Sequence, residues 1–109
     1  MKKLQPISDI LRSVLRELGL EKKFQEYQVV VSWEDIVGEK IADHTFAYDY
    51  DNKLLFVKVD SSVWLQQLVL LKIDFIKKLN KKFGKKIVKD IIFKISTEED
   101  IKNRRWNKR

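Results

Sequence analysis

Apolar side chains recur at helical spacing from the start of the chain. Ile7, Ile10, Leu11, Val14, Leu15 and Leu18 fall at i, i+3, i+4, i+7, i+8 and i+11, one face of a helix. Ser8 is placed to cap its start, Asp9 lies where the helix dipole favours an anion, and Gly19 supplies a left-handed stop. A second helix is predicted from Glu21 to about Val37. Phe24, Tyr27 and Val31 share one face, while Val29, Trp33, Ile36 and Val37 widen it. The β-branched run Val29-Val30-Val31 also suits a strand, but its flanks are helix formers and Gly38 is placed to end a helix.

The period then changes to two. Phe46, Tyr48 and Tyr50 alternate with Thr45, Ala47 and Asp49; Leu55, Val57 and Val59 alternate with Leu54, Phe56, Lys58 and Asp60. A hairpin turning at Asp51-Asn52 follows. Ser61 or Ser62 caps the longest helix, Val63 to Phe83. Its inner row is Trp64, Leu68, Leu71, Phe75, Leu79 and Phe83, widened by Leu65, Ile76 and the stem of Lys72. Gly84 ends it, and a last strand is expected from Ile87 to Ile95. The order is α-α-β-β-α-β, a single α+β domain over residues 1–96, with a basic, frayed tail over 97–109.

Composition narrows the chemistry. The 109 residues contain no cysteine, so disulfides, thiolate metal sites and cysteine nucleophiles are excluded. The N-terminus has no apolar signal core, and no apolar run is long enough to span a bilayer, so the chain reads as cytoplasmic. His44 is the only histidine and has no sequence neighbour suited to make it a general base or metal site. A structural role is expected for it, capping or bonding backbone where helix gives way to hairpin. Gly19, Gly38 and Gly84 are isolated and form no phosphate loop. The reading is a protein with no catalytic residues, no metal and no cofactor.

Charge is unevenly placed. The net charge is +7, but residues 1–54 carry −2 and residues 55–109 carry +9. Lys77, Lys78, Lys81, Lys82, Lys85, Lys86 and Lys89 crowd the end of the long helix and the loop after it. Like-charge pairs at i, i+4 disfavour a helix by about 0.2–0.5 kcal/mol each, a cost that a bound polyanion relieves. A plainer reading also stands: cations in a last turn complement the dipole, and lysine is a common surface residue. The tail adds Arg104, Arg105 and Arg109 around Trp106, suited to gripping phosphates and stacking on a base, or to simple solvation. Nothing in this pattern reads base edges, so weak sequence specificity is expected. An RNA- or ribosome-associated protein-interaction module with a basic surface is the alternative.

Two blocks resemble the DUF721 family, which includes DciA-like replicative helicase loaders. Trp33-Glu-Asp-Ile-Val-Gly38-Glu-Lys-Ile-Ala42-Asp-His44-Thr45 is similar to one family block. Val59-Asp-Ser61-Ser62-Val-Trp64-Leu-Gln-Gln67-Leu68 is similar to the other. The resemblance implies a KH-like domain, a sheet of about three strands backed by helices. It also implies binding to single-stranded or tailed DNA, contact with the bacterial replicative helicase at initiation, and no enzymatic activity. Most of the motif positions read as fold determinants. The GxxG loop of nucleic-acid-binding KH domains is matched only at its first glycine by Gly84-Lys85-Lys86-Ile87, so the usual clamp on four nucleotides is not implied. No small-molecule substrate or membrane partner is implied either.

Overall fold

The computed structural model describes residues 8–96. Four helices and three strands follow in the order α1 (Asp9–Leu18), α2 (Glu21–Val37), α3 (Glu39–Ala42), β1 (Thr45–Asp51), β2 (Leu54–Val59), α4 (Ser62–Phe83) and β3 (Asp90–Ile95). The α+β class and the order of the main elements are as predicted, with α3 added. Gly38, at φ 90° and ψ 164°, ends α2 and at once heads α3, a conformation that favours glycine.

The strands form one sheet in the order β1-β2-β3. β1 and β2 are an antiparallel hairpin, whereas β3 runs parallel to β2 and is reached through α4. A parallel neighbour requires such a crossover, which is why the longest helix sits between these two strands. β2 is central, and Leu55, Val57 and Val59 are fully buried while Leu54, Phe56 and Lys58 face the other way. Against the inner face pack Val29 and Trp33 of α2 with Leu68, Phe75 and Leu79 of α4. The Trp33 ring meets Phe75 edge-on at 5.5 Å, and its Nε1 donates to Thr45 Oγ1 at 2.9 Å. Burial of each such large side chain stabilises the fold by about 1.5–3 kcal/mol.

Four sequence expectations need correction. The hairpin turns one residue later than Asp51-Asn52: Asn52 and Lys53 carry φ of 53° and 65°, the pair of positive angles that a two-residue turn of this hand demands. The alternation along β1 is interrupted by a register shift between Ala47 and Asp49. Tyr50 therefore joins Thr45 and Ala47 on the buried face, while Phe46 and Tyr48 stay outside. β3 begins at Asp90 rather than Ile87. Ile87 and Val88 are core residues in an irregular segment whose backbone is satisfied by a side chain: Asn80 Oδ1 accepts from both N–H groups at 2.9 and 2.8 Å, and its Nδ2 donates to Val88 O at 3.1 Å. Finally, Leu71 lies on the rim of α4 at 37 % exposure rather than in its inner row.

Helix α1 forms where its periodicity places it. Ser8 Oγ accepts from Leu11 N–H at 3.1 Å and Gly19 is left-handed. Its apolar face, however, enters no core, and none of its residues is buried. It leans on α2, with Arg16 Nε 3.5 Å from the Glu21 carboxylate. No helix among the described residues is long and apolar enough to cross a membrane.

Candidate nucleic-acid interface

The second half of α4 places its lysines by helical rotation. At about 100° per residue, Lys77, Lys78 and Lys81 fall within one sector of roughly a third of the circumference; Lys77 and Lys81 lie opposite the buried Leu68, Phe75 and Leu79, and Lys78 lies on the flank. All three are exposed. Lys82 rotates toward the core instead: its side chain is 14 % exposed, and its ammonium lies 4.0 Å from the Asp35 carboxylate of α2. Much of Lys82 is thus spent within the molecule. Gly84, left-handed at φ 71°, turns the chain, and Lys85, Lys86 and Lys89 follow it in exposed positions.

Sequence reasoning missed one cation. Lys89 N–H donates to Lys53 O at 2.8 Å, which sets the hairpin turn beside the lysine-rich loop. Lys53 is exposed and adds to the same end of the molecule. Only the pairing of β2 with β3 makes that adjacency, and no local pattern signals it. One acidic group nearby is partly neutralised. Lys72 Nζ lies 3.0 Å from Asp90 Oδ1. Burial pushes the Asp90 carboxyl upward, but the Lys72 ammonium and the Ile91 N–H outweigh it and hold the group below its ordinary value. Arg104, Arg105, Trp106 and Arg109 lie outside the described residues.

The family-motif residues converge on the junction of α3, the hairpin and α4. Ala42 is buried, and Thr45 Oγ1 receives Trp33 Nε1–H while donating to Ile41 O at 3.0 Å. The His44 side chain does not bond backbone as expected. Its Nδ1 lies 2.8 Å from Asp60 Oδ2, and its ring stacks on Trp64 with centroids 4.4 Å apart. The first motif block supplies His44 and the second supplies Asp60 and Trp64, so the two blocks are physically one unit. Ser61 caps α4, accepting from Trp64 N–H at 3.3 Å, and Leu68 is fully buried, while Gln67 faces solvent. The second Asp60 oxygen is buried with no partner. No cluster of three or more His, Asp or Glu able to hold a metal occurs among the described residues.

Comparison with known proteins gives a consistent answer. The family model described as "Dna[CI] antecedent, DciA" matches residues 6–93. A UPF0232 protein of Streptomyces avermitilis is 36% identical over 76 residues, covering 68% of this chain and 42% of its own length. A UPF0232 protein of Mycobacterium leprae is 27% identical over 84 residues, covering 77% and 44%. One from Corynebacterium glutamicum is 26% identical over 87 residues, covering 80% and 49%. The chain spans less than half the length of these relatives.

Proposed function

The chain belongs to the DciA family, and from that premise we propose that it is a non-enzymatic, KH-like DNA-binding accessory of the bacterial replicative helicase. The single observation that carries the DNA-binding part is the shared solvent sector of Lys77, Lys78 and Lys81, continued by Lys85, Lys86, Lys89 and Lys53 at one end of the molecule. Polyphosphate neutralises such a surface and releases condensed counterions, which drives binding without reading bases. Dipole complementation accounts for Lys81 and Lys82 in the last turn of α4, but not for Lys77 or the lysines beyond Gly84. The helicase contact rests on family membership, and Arg104, Arg105 and Arg109 with Trp106 are assigned to the same DNA-binding role by their sequence alone.

The ion pair of Lys82 with Asp35 guides the choice of variant. Lys78, Lys81 and Lys85, all exposed, are replaced together by Gln. Affinity for a tailed DNA should fall at least about fivefold at 0.1 M salt, because each lost phosphate contact weakens binding. The melting temperature should stay within a degree or two. Unchanged affinity in a folded triple variant overturns the assignment of this surface. Titration of RNA of the same length alongside separates this reading from an RNA-associated module, which would prefer the RNA. Co-purification with the replicative helicase tests the remaining half of the proposal.

A further inference from the structure

Two helices each leave an aliphatic stripe uncovered. On α1, Ile10, Leu11, Val14 and Leu18 lie within about 100° of one another around the helix axis. They are 41–80% exposed. The helix meets α2 on its flank instead, where Leu15 lines a crevice with Phe24 and Gln28. On α4, Val63, Leu70 and Ile73 lie within about 80° of one another, opposite the buried Leu68 and Phe75, and Val69 flanks them. These four are 51–82% exposed. Uncovered aliphatic stripes of this extent mark interaction surfaces.

The chemistry of the stripes narrows their occupant. Neither contains an aromatic ring on which a base could stack. The charges along α1 balance, Asp9 and Glu17 against Arg12 and Arg16, so the helix has no net attraction for anionic lipid or polynucleotide. What fits each stripe is another aliphatic stripe of equal length, and the chain itself supplies one. α1 has 10 residues, and Val63 to Ile73 spans nearly the same number of turns, about 15 Å each. Charge agrees with a parallel alignment. Glu17 borders the α1 stripe near its C-terminal end, and Lys77 continues the line of Leu70 and Ile73 one turn further along α4. Asp74, on the flank, has Lys78 one turn on. We propose that two copies of the chain form a closed dimer in which α1 of each covers the outer face of α4 of the other. A two-fold axis satisfies both contacts at once and leaves no stripe from which a filament could grow. Eight partly exposed aliphatic side chains per copy bring on the order of 1,000 Å² to the interface. Their polar rim carries the total into the range of about 1,200–2,000 Å² that stable complexes bury. The contact stops at Lys77, so Lys78, Lys81 and Lys85 remain outside it.

The test uses the full chain in sedimentation equilibrium across a micromolar concentration series. Wild type should approach twice the chain mass of 13.1 kDa. Leu70→Lys/Ile73→Lys on α4 and Ile10→Glu/Leu18→Glu on α1 each set charges against an aliphatic partner, twice per dimer. Each should raise the dissociation constant at least about a hundredfold. Mixed in equal amounts, the two variants should form a heterodimer at least about tenfold tighter than either homodimer, because one contact keeps both native stripes and the other opposes Glu to Lys. Circular dichroism checks that helix content is kept. If the α1 variant loses its helix, the α4 variant carries the test alone, since its substitutions start from exposed positions. A wild-type mass of one chain at every concentration, a mass that grows past two chains, or a dimer that neither variant weakens overturns the proposal. So does a mixture that fails to associate. Capture of a monomeric chain by anionic phosphatidylglycerol vesicles overturns it too, and would assign the stripes to a lipid surface.

Discussion

Asn80 satisfies three backbone groups of a buried, irregular segment with one carboxamide, and Tyr50 donates its hydroxyl to the carbonyl of Ile87 in the same segment. Without these partners Ile87 and Val88 could not stay in the core, because an unpaired buried backbone group costs about 1–3 kcal/mol. Asn80→Ala should therefore destabilise the protein by roughly 2–4 kcal/mol in urea unfolding, and Asn80→Asp, which keeps the acceptor, by less. A loss under about 0.5 kcal/mol would mean that water replaces the carboxamide. Burial first, and then the Glu26 carboxylate, push the Tyr50 phenol above its ordinary 10.0. The native state thus prefers the neutral phenol, so this stabilisation is complete below pH 10.0 and is lost as pH rises through the raised value. Wild type should outlast Tyr50→Phe by about 1 kcal/mol at neutral pH, with the gap closing in strongly alkaline buffer. A gap independent of pH would contradict this. None of these side-chain roles was legible in the sequence, because Asn80 reads there as one more polar helix residue and its partners come from across a glycine turn. The same holds for His44, whose partner Asp60 is 16 residues away.

At the scale of elements, helices were the most readable because their signals are local. Ser8, Gly19, Ser61 and Gly84 cap or stop α1 and α4 as their residue types suggest. What periodicity leaves open is the destination of a face: α1 has a regular apolar stripe, yet Ile10 is 80% exposed and Leu18 64%. Strand pattern was readable on β2, which is central, and misleading on β1, where the register shift reverses the phase before Tyr50. The hairpin turn was found but misplaced, since Lys53 at φ 65° is an unexpected residue for a left-handed position. Lys53→Gly should accordingly raise stability by about 0.5–1 kcal/mol. The same change should weaken DNA binding modestly if Lys53 belongs to the basic end. Higher thermal stability with reduced DNA affinity is the expected pair of results, and a loss of stability would contradict the turn assignment.

At the scale of the molecule, the charge asymmetry between the halves of the sequence becomes a spatial one. Chain folding sets most of the later lysines on α4, its following loop and the outer sheet face, and brings Lys53 across from the more acidic half to join them. The candidate site was legible as a list of lysines, but not as a surface. Helical rotation separates Lys82 from its neighbours, and sheet pairing adds Lys53, which no run of sequence singles out. The family blocks were legible as motifs, and their convergence through His44, Asp60 and Trp64 explains their spacing as a packing requirement. The central claim is that a concentrated positive field binds DNA through its phosphates. Its most direct test is the affinity of the full chain for oligo-dT across a salt series. Neutralising about five phosphates predicts a log–log slope near −3.5, whereas a slope flatter than about −1 would mean that the lysines only keep the protein in solution.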